Sequence, residues 1–444
     1  TRLQGDWSSD VCSSDLVLLF SACKTQKDIV YTAPVEFMEE ELLDTLVISD
    51  VAGIMDSLPK EYRPSATLMY DILHTKLDLR FDWNKQHVLG KAEITLTPYF
   101  KPVSSIILDA VGFDIHKISV SENPVVFEYN GEKITITLDR QYKRQEIIKL
   151  HIDYTAKPNT NPVGGSDAIT SDKGLFFIDP LDLDPDIPSQ IWTQGETENN
   201  SRWFPTFDKP NERFTQEILL TVEDKYLTLS NGKKISSKKN SDGTRTDHWK
   251  QEKAHAPYLA MIAVGEFHEE TEYWKDIPLH YMVEKGFGKH AKKIFNHTPE
   301  MMSFFSEKLN YPYPWEKYGQ IVVRDFVSGA MENTGAVVFG DFVQKSDKEL
   351  IDNDNDYIVA HEMMHHWFGN LVTCEDWSNL VLNEGFANYA EYLWFEHKYG
   401  KDRAEYHRLN EMNGYYSQVF GGGAHPLVHY YYGNKEQMFD AHSY

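Results

Sequence analysis

Cysteine is scarce in this chain of 444 residues. The only three, Cys12, Cys23 and Cys374, are too few and too scattered for a disulfide framework or a thiolate metal site. Basic residues are outnumbered as well, 44 Lys and Arg against 68 Asp and Glu, and the formal charge of −24 repels phosphate backbones. With no basic stripe interleaved with aromatics, nucleic acid is excluded as a partner. Such an acidic surface mildly attracts cationic ligands, among them peptide amino termini. Long apolar runs are missing too: the segment from Leu16 to Cys23 falls well short of the about 20 residues a bilayer span needs. There is no internal repeat and no low-complexity tract. What remains is a chain 41% hydrophobic, enough to bury large cores in two or three domains.

The short apolar run ends in small residues before Cys23, the pattern that closes a bacterial lipoprotein signal. Cys23 is accordingly the expected lipidation site. The expected location is the bacterial cell envelope, extracytoplasmic, with a lipid anchor in the membrane. The basic segment that should precede such a run is replaced by polar sequence, so residues 1–16 read as a non-native leader and 17–23 as the remnant of the signal. Residues 24–65 mix acids with apolar residues, end in Pro59 and Pro64, and read as a spacer.

From about Tyr70 the apolar period is two. Leu77, Leu79 and Phe81 alternate with polar residues, as do Ala92, Ile94 and Leu96, then Ile134, Ile136 and Leu138, then Ile148, Leu150, Ile152 and Tyr154. Asn130-Gly131 and Asn231-Gly232 mark tight turns. The expectation is an antiparallel β domain over 66–275. Beyond Gly286 the pattern turns helical, with Thr298 as expected N-cap, Pro299 in the first turn and Met301, Met302, Phe305 and Leu309 as an apolar stripe. Residues 276–444 therefore read as a mainly helical domain. Asp352, Asp354 and Asp356 imitate the start of a calcium loop, but Tyr357 stands where an EF-hand needs Gly. They suit the positive end of a helix instead. The proline-broken loop carrying Asp179, Asp182, Asp184 and Asp186 reads as solvated.

The chemistry concentrates in His361-Glu362-Met363-Met364-His365, followed by Glu384 with eighteen residues between His365 and it. On a helix, His361 and His365 stand one above the other with Glu362 beside them, and the intervening length lets a second helix return Glu384 as a third ligand. Two imidazoles and one carboxylate leave a fourth position open, the arrangement of catalytic rather than structural zinc, and one Zn2+ per chain is expected. Such an ion acidifies water towards neutral pH, and Glu362, not itself a ligand, is placed to act as general base. His366 is turned about 100° away and reads as packing. Asn388 and Glu391 share the face of Glu384 and could orient a metal-bound imidazole.

Three blocks resemble the aminopeptidase N family of zinc peptidases, which includes leukotriene hydrolase: Gly329-Ala330-Met331-Glu332-Asn333, the zinc signature running through His366-Trp367-Phe368-Gly369-Asn370, and Leu382-Asn383-Glu384-Gly385-Phe386-Ala387. Weaker similarity reaches back through Tyr311-Pro312-Tyr313-Pro314 and Thr193-Gln194-Gly195-Glu196. The resemblance implies a multidomain α+β chain, a β saddle followed by a thermolysin-like catalytic domain cut short at its C-terminus. It implies that Glu196 and Glu332 bind the α-ammonium of a peptide with a free amino terminus. Gln194, Gly329, Ala330, Met331 and Asn333 would line the same substrate site, and Tyr444 would match a tyrosine that stabilises the oxyanion. The expected activity is removal of single residues from peptide amino termini. A thermolysin-like endopeptidase and an inactive scaffold of the same fold are the alternatives.

Overall fold

The computed structural model describes residues 61–160, 162, 164–166 and 168–444. Cys12, Cys23, the leader, the signal remnant and nearly all of the spacer lie outside the described residues. Among those described, no helix is long and apolar enough to cross a membrane.

Alternating sequence in the first half becomes a twisted eight-stranded sheet. Its order is Lys233–Lys239, Thr244–His255, Phe214–Glu223, Tyr70–Asp82, His87–Pro98, Ile148–Ala156, Phe113–Val120 and Asn123–Pro124. All neighbours are antiparallel except Tyr70–Asp82 beside Phe214–Glu223, where Leu77 faces Ile218. Leu77, Leu79, Ala92, Ile94, Leu96, Ile148, Leu150, Ile152 and Tyr154 are all buried, while Phe81 at the strand end is half-buried. Gly90 sits where a Cβ would fall 2.2 Å from the Tyr154 ring, so only Gly lets these paired strands meet there.

Asn130-Gly131 closes a hairpin between Phe127–Tyr129 and Lys133–Tyr142, with Gly131 at φ +97° and Asn130 Oδ1 accepting from the Glu132 and Lys133 amides. Asn231-Gly232 behaves differently. It turns the chain, Gly232 at φ +68°, but its flanking strands join separate sheets. Asn231 is buried there: its Oδ1 accepts from the Met261 amide, and its Nδ2 donates to the carbonyls of Leu259 and Thr334. One side chain thus ties the β half to the segment after Glu332.

The second half is built on a mixed five-stranded sheet, ordered Phe267–Trp274, Ile277–Glu284, Tyr318–Val323, Ala336–Gly340, Ala330–Met331. Its first hairpin straddles residue 275, so members of this sheet lie on both sides of the expected 275/276 boundary. Against it pack helices α1 (Thr298–Lys308) and α2 (Asp356–Met364); α3 (Val381–Tyr399) packs on α2, and α4 (Lys401–Gln418) on α3. Helix α1 begins one residue earlier than expected: His297 holds the N-cap position and Thr298 is already helical, its hydroxyl accepting from Gln320 Nε2. Met301, Met302 and Phe305 enter a core with Tyr281, Phe339, Met363 and Trp394.

Asp356 opens α2, but its carboxylate does more than face a helix dipole. It is buried and accepts from Trp394 Nε1 (2.8 Å), Tyr399 hydroxyl (2.7 Å) and His297 Nδ1 (2.9 Å). Burial opposes its ionisation, yet these donors outweigh that and hold its carboxyl below the ordinary range. The cross-link sets the crossing of α2 and α3. Asp182, Asp184 and Asp186 stay exposed, while Asp179 accepts from the Leu183 and Asp184 amides within its own loop.

Candidate metal centre and active site

Helix α2 presents His361 and Glu362 in its last turn, and His365 at the C-cap keeps helical backbone, its amide still bonded to the His361 carbonyl. Helix α3 returns antiparallel and carries Glu384 in its first turn. The three side chains are buried and converge: Nε2 of His361 lies 3.2 Å, and Nε2 of His365 3.5 Å, from one oxygen of Glu384.

Each imidazole is oriented from behind. His361 Nδ1 donates to Glu391 Oε1 at 2.8 Å, and His365 Nδ1 donates to the Phe368 carbonyl at 3.1 Å, so both rings turn Nε2 to the common point. Glu391 is itself held by His407, whose Nε2 lies 3.0 Å from its other oxygen. Asn388 lines the neighbouring cavity. His366 faces away as its rotation demands. It is wholly buried beside Tyr313 and Tyr318, donates from Nδ1 to the Glu362 carbonyl and accepts the Gly335 amide at Nε2. Burial pushes it down to about 3, so the ring is neutral.

Carboxylates crowd this point. Donor atoms of Glu196, Glu332 and Glu384 lie within 4.8 Å of one another, as do those of Glu332, Glu362 and His365. Burial pushes Glu362 up to about 8, the adjacent Glu332 and Glu384 adding to the rise while the two imidazoles oppose it. Burial, then Glu332 and Glu384, drive Glu196 well above its usual range. Burial disfavours charge on His365, but Glu332 and Glu384 outweigh it and raise the ring to about 9. Four buried acids around two imidazoles form a set short of positive charge. A divalent cation fits: two oriented nitrogens and one carboxylate suit zinc in geometry and in ligand type.

Glu332 continues the edge strand Ala330–Met331, which pairs antiparallel with Ala336–Gly340 on one side only. Glu196 follows Gln190–Thr193 from the β half. Gln194 is buried between them, with Nε2 3.2 Å from Met331 Sδ. Gly329 and Ala330 line a cavity of about 350 Å³ with Tyr357, His361, Glu362 and Tyr444. Asn333 is fully buried and does not line that cavity. Tyr444 stacks its ring against His361, centroids 5.8 Å apart at 15°, and stays 41% exposed.

Two neighbours of the site carry no sequence signal. Tyr258, wholly buried, reaches its hydroxyl to Glu332 Oε1 and to the Gly369 carbonyl, each at 3.3 Å, and accepts from Asn383 Nδ2. Gly369 has φ +121°, and a Cβ there would sit 3.1 Å from His365 Nδ1. His407 is the second; nothing in its spacing ties it to Glu391 except the packing of α4 on α3.

Comparison with known proteins agrees with this architecture. The Peptidase M1 N-terminal domain matches residues 66–259, and the Peptidase family M1 domain matches residues 293–444. Glutamyl aminopeptidase of Bos taurus is 28% identical over 63% of this chain and 30% of its own length. Aminopeptidase N of Streptomyces lividans is 34% identical over 48% of this chain and 25% of its own. The chain thus spans a quarter to a third of the length of these relatives. An M1 zinc metallopeptidase from Deinococcus radiodurans shares the fold, with a TM-score of 0.69, 21% identity, and coverage of 86% of this chain and 81% of that one. A β-rich domain followed by a helical domain, with both family domains in tandem over most of its described length, places this chain in peptidase family M1.

Proposed function

We propose that this chain is the core of a zinc aminopeptidase that removes one residue at a time from the amino terminus of peptides. The observation that carries the reading is the meeting of two buried carboxylates, Glu196 and Glu332, with Glu384 of the His361–His365–Glu384 set within one 4.8 Å cluster. Two acids beside the reacting point reward a charged α-ammonium. A mid-chain amide would leave both acids buried and unpaired, at a cost of several kcal/mol. The Ala330–Met331 edge offers backbone groups to an extended peptide laid along it, and small Gly329 and Ala330 allow close approach.

A zinc ion held by His361, His365 and Glu384 supplies Lewis acidity, which polarises a carbonyl and acidifies water. Glu362, whose Oε2 is buried with no hydrogen-bond partner among the described residues, takes the proton of the attacking water and passes it to the leaving amine. Tyr444, stacked on His361, would donate its hydroxyl to the developing oxyanion. Glu391 and Phe368 keep the two rings in the tautomer that directs Nε2 inward.

The relatives' names support the reading, and the Deinococcus protein has also been solved with a Tyr-Ser-Ala substrate. The test uses an aminoacyl anilide and its N-acetylated twin. Cleavage of the first alone, abolished by a chelator and restored by zinc, is expected. Equal cleavage of both would make the chain a thermolysin-like endopeptidase, and absence of bound zinc and of turnover would leave an inactive scaffold. Cys23 supports a further reading, a lipid anchor at the bacterial envelope, which labelled palmitate incorporation lost in Cys23→Ser would check.

A further inference from the structure

We propose that His425, Asp440 and His442 form a second binding site for a divalent transition-metal ion, zinc by preference, beside the turn that ends in Tyr444. One donor atom from each residue lies within 4.8 Å of the other two, and none belongs to the His361–Glu384 set. Two imidazoles with one carboxylate suit zinc rather than calcium or magnesium, which seek oxygen ligands.

His425 Nδ1 donates to the Pro426 carbonyl at 2.8 Å, which leaves Nε2 of the neutral ring as a lone pair, 2.6 Å from Asp440 Oδ2. A lone pair facing a carboxylate calls for a cation between them. A proton serves in the absence of metal, and a metal ion can take its place, the proton leaving to solvent as the metal–nitrogen bond forms. His365 repeats this arrangement, with Nδ1 on a carbonyl and Nε2 against Glu384. His442 supplies an independent sign: it is only 9% exposed, yet its Nδ1 has no hydrogen-bond partner among the described residues. A nitrogen so buried is ordinarily satisfied.

The ion would act on structure. Gln418, the last residue of α4, donates to Asp440 Oδ2; the amides of His442 and Ser443 donate to Oδ1, and that of Tyr444 to the Asp440 carbonyl. Metal at Asp440 would clip the end of α4, the His425 loop and the Tyr444 turn together.

The claim is independent of the peptidase reading. Metal-stripped chain titrated calorimetrically with Zn2+ is expected to show two binding events, the second at micromolar zinc or below, with proton release. His425→Gln or His442→Gln should remove only that event, while Glu384→Gln should weaken only the other. Anomalous scattering at the zinc edge from wild-type crystals should place a peak among the three side chains, a readout that needs no variant. A lone event that survives both His variants, binding at this site only at millimolar zinc, a second event that survives both His variants, or no anomalous peak there would each overturn the proposal and leave His425–Asp440 as an ion pair.

Discussion

Glu362 and Asp208 show how differently two buried acids can matter. Glu362→Gln keeps size and metal ligands but cannot accept a proton, so turnover should fall on the order of 10³-fold while zinc content holds; steady-state rates beside metal analysis would check this. Asp208 is not part of that set. It is 2% exposed, accepts the Ser201 amide at Oδ2, and has no partner at Oδ1 among the described residues. Burial raises it to about 7, the Ser201 hydrogen bond only partly offsetting the rise. With the folded pKa above the unfolded value of 3.8, the folded state retains a proton the unfolded chain has lost. Its stabilising contribution is whole below pH 4 and disappears as pH climbs to about 7, at up to about 1.4 kcal/mol per pH unit. Urea midpoints should therefore fall between pH 4 and 7 more steeply in the wild type than in Asp208→Asn.

At the scale of elements, the proposed metal centre lies where α2 and α3 cross, and Asp356 cross-links the two helices. Asp356→Ala would strand the Trp394 indole N–H and remove the partner of His297. A loss of about 3 kcal/mol is expected by chemical denaturation, together with weaker zinc affinity as Glu384 drifts from the two rings. A variant with unchanged stability would show that apolar packing alone sets the helix pair. The two strands flanking Asn231-Gly232 illustrate the limit of local signals: the turn is real, but which sheet each strand joins depends on the buried hydrogen bonds of Asn231 across the two halves.

For the whole molecule, the cluster of Glu196, Glu332, Glu362 and Glu384 means that the metal-free site stores like-charge repulsion. Removing the ion with a chelator should lower the melting temperature, and zinc should restore it; at a free concentration a thousandfold above Kd the expected gain is about 4 kcal/mol. Calorimetric scans with and without zinc would measure it. The stabilisation should shrink in Glu384→Gln, which withdraws the one ligand drawn from α3.

Alternation of apolar residues every second position determined the β half, and the HExxH spacing determined that His361, Glu362 and His365 share one helix end, because both signals are local periodicities of the backbone; the sequence supplied Glu384 as a candidate, and the packing of α3 on α2 brought it to the two rings. The motif blocks also carried Gly329 to Glu332 and Glu196. What only the tertiary structure decided is which groups meet across long stretches of chain. Tyr258 on Glu332 and the cross-link of Asn231 depend on how sheets and helices pack, and no spacing encodes them. His407 behind Glu391 is nearer in sequence, yet it too follows from one helix lying on another. The expected N-cap at Thr298 moved to His297 for a similar reason: Gln320, on a neighbouring strand, claims the threonine hydroxyl.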